Sequence, residues 1–143
     1  MPKPGIFVTQ NIPQPALDRL EEVFSLSIHA SDQAITRAQL LAAVKESEAL
    51  LCLLTDTIDR ELLDAAPKLK CVSNLAVGYN NIDLEYASSR NIVVCNTPGV
   101  LTESTADLTW ALLLACARRV VEGDSFVRAG RFEGWGPMLM LGV

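Results

Sequence analysis

From Gly5 to Cys95, short apolar runs alternate with segments whose apolar residues recur every three or four positions. Runs of the first kind read as strands buried on both faces, and segments of the second kind as amphipathic crossover helices. Residues 5–9 form the first strand, and residues 13–24 a helix with Leu17, Leu20, Val23 and Phe24 on one face. Residues 25–29 make a weaker strand. Thr36, with Gln39 three positions on, is a capping box that opens a helix burying Leu40, Leu41 and Val44. Residues 49–54 are apolar throughout and form the third strand, and Asp59 caps a short helix that ends before Pro67. Residues 70–75, 83–90 and 91–95 complete the alternation as strand, helix and strand.

Five such units joined by short loops predict an α/β fold, a flavodoxin-like doubly wound parallel sheet. The pattern then changes. Thr102 opens a helix whose stretch WALLLACA (110–117) has no polar face. A helix apolar all round needs burial, and a domain already covered by four helices has little room for it, so a place between two domains or two subunits is expected. Residues 122–143 carry five glycines together with Phe126, Phe132, Trp135 and Met138, and read as an arm that packs on something else. The division is therefore 1–101 for the sheet domain and 102–143 for the helix and arm.

Half of the 143 residues are hydrophobic and a fifth are charged, a composition that folds. The mean hydropathy of +0.26 points to apolar surface meant for a partner. With a net charge of −5 and no basic cluster beyond Arg118-Arg119, nucleic acid and anionic membranes are poor partners. The apolar stretch 108–117 is about half a membrane span. The start, Met1-Pro2-Lys3-Pro4, has no signal core, so a cytoplasmic protein is expected. Cys52, Cys71, Cys95 and Cys116 lie far apart in apolar runs, which argues against a metal site and for reduced core thiols.

Few side chains suggest chemistry. His29 is the only histidine; it lies on the weak strand, and a surface or edge position outweighs a catalytic role. Asp56 follows the third strand, where a receiver domain carries its phosphoacceptor. Thr9-Gln10-Asn11 offers no acidic metal ligand, however, and no lysine follows the fifth strand. In Ala76-Val77-Gly78-Tyr79-Asn80-Asn81, Gly78 lets the backbone approach a ligand, so that neighbouring N–H groups cradle a carboxylate. The residues alone leave a plain turn slightly ahead. Thr102 is equally open between a plain N-cap and an anion site at the first helical turn. Trp135, in a glycine-rich arm, divides evenly between anchoring an interface and packing back on its own domain. No G-x-G-x-x-G occurs, and the chain closes on apolar residues 137–141, so the expectation is one part of a larger enzyme.

Four blocks, LLCLLTD (50–56), NLAVGYNNID (74–83), NTPGVLTESTAD (96–107) and RAGRFEGWGPM (128–138), together resemble the D-2-hydroxyacid dehydrogenases. The resemblance runs from about Ile6 onward and is strongest to the glyoxylate/hydroxypyruvate reductase branch, on the Trp135 block. Asn80 stands where the family often has Asp. The resemblance implies a substrate domain built from both ends of a longer chain, with an inserted Rossmann domain for NADH or NADPH. It implies reduction of a small 2-keto acid by hydride transfer, usually in a homodimer. Leu54, Val77 and Gly78 would then meet the substrate carboxylate, and Thr102 the nicotinamide side of the cleft. The 103–121 helix and the 122–143 arm would carry the dimer, and Trp135 would reach the partner's active site. The family's catalytic arginine, glutamate and histidine would lie downstream, leaving no catalytic residue in this chain. The alternative is a stand-alone flavodoxin-like module that binds a carboxylate or a protein without catalysis.

Overall fold

The computed structural model describes residues 2–31 and 33–140; the expected apolar end at Leu141-Gly142-Val143 lies outside them. Five parallel strands, β1 (Gly5–Val8), β2 (Ser25–Ile28), β3 (Ala49–Cys52), β4 (Cys71–Asn74) and β5 (Val93–Cys95), make one sheet in the order β2-β1-β3-β4-β5. That is the flavodoxin-like order, with its switch point between β1 and β3. Each strand is shorter than its sequence pattern by one or two residues at an end, because the flanking apolar positions continue into loops. The weak strand became the sheet edge, and His29 beyond it is half-buried, its Nε2 3.1 Å from the Gln33 carbonyl.

The register places Phe7, Leu50, Val72 and Val94 in one row and Ile6, Ala49, Cys71 and Val93 in the next. The first row faces the core. There Leu40 and Val44 pack with Leu62, Leu63, Ala66, Leu69, Ala87 and Ile92. These come from helices α2 (Arg37–Ala43), α3 (Arg60–Ala65) and α4 (Leu84–Ser89) and the turns beside them. The opposite face is covered by α1 (Gln14–Val23), which buries Leu17 and leaves an apolar groove floored by Ile6, Ala49, Leu51 and Cys71. Val93 on that face is 60% exposed.

Caps set the helix starts. Thr36 and Gln39 form the expected reciprocal box, and Asp59 accepts from the Leu62 N–H at 3.0 Å. Asn91, at φ 58°, closes α4 in the left-handed region that Asn tolerates.

The chain divides after Gly99 into two compact units. The second holds α5 (Thr102–Ala117) and α6 (Val120–Arg128). Two readings of this segment need correction. Thr102 is not the N-cap. The turn at Gly99 (φ 80°) leads into Leu101, which already has near-helical angles and takes the cap position without a side-chain bond. A capping side chain needs extended backbone beneath it, and Thr102 stands one position too late. The helix expected over 103–121 is also two helices. Arg119 turns left-handed (φ 53°), and its guanidinium pairs with Glu122 in the first turn of α6. The arm therefore begins as helix. No residue of α5 is buried, and Leu108, Trp110, Leu112, Leu113 and Leu114 are all more than half exposed.

Asp59 is the most informative electrostatic position in the first unit. Burial alone raises its carboxyl, but the Leu62 amide and the Arg37 guanidinium outweigh that and hold it below the usual carboxylate value. A lowered folded-state pKa gives stability that is present above the unfolded value near 3.8 and is lost as pH falls through the folded value. Asp59→Ala is expected to cost about 1 kcal/mol in urea unfolding at neutral pH. The difference from wild type should narrow in acid, as Asp59 becomes protonated in both states.

Candidate functional site

At the carboxyl ends of β1, β3 and β4, three loops are tied by buried and half-buried polar side chains. The fully buried Thr9 donates from Oγ1 to Asp56 Oδ2 at 2.6 Å, and the same oxygen accepts the Leu53 N–H at 2.8 Å. Asp56 thus clamps the turn after β3 to the end of β1 at the switch point. Asp56, weighed above as a phosphoacceptor, is occupied on Oδ2 by two bonds within the fold.

Asn74 ends β4 on the core side and is completely buried. Its Nδ2 donates to the Gly78 carbonyl at 2.8 Å and to Asn81 Oδ1 at 3.0 Å, while Cys52 Sγ donates to its Oδ1 at 3.4 Å. Asn81 Nδ2 in turn donates to the carbonyls of Leu53 (3.2 Å) and Asp56 (2.9 Å). Two asparagines therefore join the loop after β3 to the loop after β4. From the end of β5, Asn96 Nδ2 donates to the Val77 carbonyl at 2.8 Å and the Thr97 N–H to the Ala76 carbonyl at 2.9 Å.

Leu54, Val77 and Gly78 are brought together by this frame. Leu54 is 51% exposed and leans over Gly78; a Cβ added to Gly78 would stand 3.8 Å from Leu54 Cδ1 and 3.2 Å from Asn80 Oδ1. Val77 is exposed, and the N–H groups of Val77, Gly78 and Tyr79 have no acceptor among the described residues. Adjacent donors beside an apolar side chain suit a small carboxylate with a short apolar body. Thr102 and Trp135 belong to the second unit. Thr102 is exposed in the first turn of α5, and Trp135 is 85% exposed in the arm.

The asparagine frame was not singled out from the sequence. Its one signal was Asn74 itself, a carboxamide closing an apolar strand, which must find partners if buried. The reading of four core thiols also needs correction: Cys52 is buried and Cys71 half-buried, but Cys95 and Cys116 are exposed. Cys95 alternates outward on β5, and Cys116 sits on the uncovered α5. Among the described residues no group of three metal-binding side chains occurs, and no helix is long and apolar enough to cross a membrane.

The sheet order and the helices around it are those of a recognised class of domain. The model of the D-isomer specific 2-hydroxyacid dehydrogenase catalytic domain matches residues 6–126, and the chain belongs to that family. It is 49% identical to a glyoxylate reductase of Thermococcus litoralis over 98% of this chain and 44% of that protein. Among solved structures, the TT0316 protein of Thermus thermophilus is 45% identical with a TM-score of 0.89, over 96% of this chain and 44% of the other. An NADPH-dependent glyoxylate/hydroxypyruvate reductase of Sinorhizobium meliloti, in complex with NADP and malonate, is 34% identical with a TM-score of 0.73, over 94% of this chain and 41% of the other. The chain thus spans less than half the length of each.

Burial, and then the charge of Asp56, push the Cys52 thiol up to about 12. Thiolate is the reactive form. In a timed thiol count on the native chain, Cys95 and Cys116 should label first and Cys71 more slowly. Cys52 should label only on unfolding; its modification in the native state would contradict the packing described.

Proposed function

We propose that this chain is the substrate-binding part of an NAD(P)H-dependent reductase that converts glyoxylate, hydroxypyruvate or a related small 2-keto acid to the D-2-hydroxy acid. The observation that carries the reading is the run of acceptor-free amides at Val77, Gly78 and Tyr79 beside Leu54, at the carboxyl edge of the sheet. Family membership and the reductases it resembles supply the reaction class.

In this reading the Val77 and Gly78 amides hold the substrate carboxylate, and Leu54 closes over its apolar side. Fixed backbone donors orient the acid without a buried counter-charge, which leaves the keto carbon presented in one direction. The nicotinamide, when bound, supplies the hydride. This chain has no glycine fingerprint for a pyrophosphate, so its own contribution to the cofactor is restricted to Thr102. The amides of the first turn of α5 lack a side-chain cap, which suits a neutral or anionic acceptor. The arginine, glutamate and histidine that complete the chemistry belong to the rest of the protein.

The exposed apolar face of α5 and the arm are proposed to form a homodimer contact, with Trp135 entering the partner's site. A cytoplasmic location accords with the free cysteines. The 103–121 and 122–143 segments keep these roles although the helix is broken at Arg119.

The reading predicts that the full-length protein reduces glyoxylate with NADH or NADPH, whereas residues 1–143 alone do not. Sustained turnover by the isolated chain would refute the division of labour. A full-length protein inert toward every small 2-keto acid would favour the stand-alone binding module instead. Trp135→Ala in the full-length enzyme should shift kcat/KM toward bulkier 2-keto acids, by about tenfold relative to glyoxylate. An unchanged ratio would remove Trp135 from the site.

A further inference from the structure

Three consecutive carbonyls of the loop after β4 are held by donors from outside it. The Ala76 oxygen accepts the Thr97 N–H (2.9 Å), the Val77 oxygen accepts Asn96 Nδ2 (2.8 Å), and the Gly78 oxygen accepts Asn74 Nδ2 (2.8 Å). No peptide bond among the described residues is cis. In a trans peptide the C=O and the following N–H point in opposite directions on one rigid plane. Holding each oxygen therefore fixes where the N–H of the next residue points: Val77, then Gly78, then Tyr79. These three lie within a longer run, Ala76 to Asn81, whose amides have no acceptor among the described residues.

We propose that Asn96 is a positioning residue for the carboxylate subsite: by holding the Val77 oxygen it aims the Gly78 amide at the substrate, while Asn74 holds the next peptide plane through the Gly78 oxygen. The inference rests on the substrate reading given above and extends it to residues that touch no ligand. The alternative, that the two asparagines only satisfy buried groups, explains Asn74 but not Asn96. Asn96 is half-buried and donates to the carbonyl of Val77, a residue that is itself exposed. A free loop carbonyl at that depth would be satisfied by water at little cost. Spending a side chain of the NTPG segment on it makes sense when the orientation of that peptide plane matters.

Glycine at 78 leaves room beside these amides: a Cβ there would stand 3.2 Å from the Asn80 side-chain oxygen and 3.8 Å from Leu54 Cδ1. Asn74 is anchored in its turn by Asn81 and Cys52, so the aim is referred back to the core ends of β3 and β4.

The test uses the full-length enzyme with Asn96→Asp, which keeps the shape but replaces the donor with a carboxylate facing the Val77 oxygen. The KM for glyoxylate should rise about 10- to 100-fold, as for loss of hydrogen bonds to a charged group. kcat and the KM for the nicotinamide cofactor should stay within about twofold, and Asn96→Gln should recover part of the loss. A merely structural role would lower the melting temperature without this split. Normal glyoxylate KM in a folded Asn96→Asp enzyme would overturn the proposal while leaving the reductase reading intact. A wild-type enzyme that reduces no 2-keto acid would overturn both. Should Asn96→Asp not fold, amide resonances of the wild-type enzyme titrated with oxalate decide the matter. Shifts at Val77 and Gly78 support the aim, and stationary resonances under oxalate inhibition overturn it.

Discussion

A buried carboxamide at the end of a strand organises this molecule. Asn74 lies fully buried in a row with Cys52, beyond the apolar row of Leu50 and Val72, so each of its polar atoms must find a partner inside the protein. It does so through Asn81, Cys52 and the Gly78 carbonyl. Leaving such a group unpaired costs about 1–3 kcal/mol, a sizeable share of the stability of a small domain. The loops after β3 and β4 are therefore fixed to each other by a requirement of the core, and the exposed backbone donors at Val77 to Tyr79 inherit that rigidity. A binding surface made of main-chain groups has no side-chain rotamers to order, but it is only as rigid as whatever holds its carbonyls.

The sheet imposes a second constraint. Parallel strands are stable when both faces are covered. One face carries α2, α3 and α4 and the continuous core from Phe7 to Ile92. The other carries only α1, leaving a groove along Ile6, Ala49, Leu51 and Cys71, with Val93 largely exposed. The apolar alternation of β3 and β4 on that side is that of a buried strand, although nothing in the first unit beyond α1 covers it. The high mean hydropathy of the chain thus has two structural sources, this face and α5.

What could be read from the sequence follows from how local each determinant is. Strand and helix order were legible because each element carries its own period, and the caps at Thr36 and Asp59 because their partners lie three residues away. The flavodoxin-like order followed from short loops and handed crossovers. The polar frame was opaque for the opposite reason. Thr9 meets Asp56 and Asn81 meets Leu53 across 47 and 28 residues, separations at which neither residue type predicts the other. The same holds for Asn96 and Val77, 19 residues apart, although both lay inside blocks whose importance the sequence did reveal. The motifs marked the place; the pairing needed the fold.

The break between α5 and α6 shows the limit of local reading most sharply. Residues 110–121 contain neither glycine nor proline, and their pattern continues as helix. Yet Arg119 adopts a left-handed backbone, with its guanidinium bonded to Glu122 at 2.8 Å through Nε. A non-glycine residue pays about 1–2 kcal/mol for that conformation, and an exposed ion pair of this kind returns less than about 1 kcal/mol. The ion pair alone therefore does not balance the turn. The backbone supplies the rest: the Arg118 and Arg119 N–H groups close α5 on the Leu114 and Cys116 carbonyls, and the Arg119 carbonyl accepts the Gly123 N–H of α6. The exposed leucines of α5 are a separate matter: in the proposed reading a second subunit covers them.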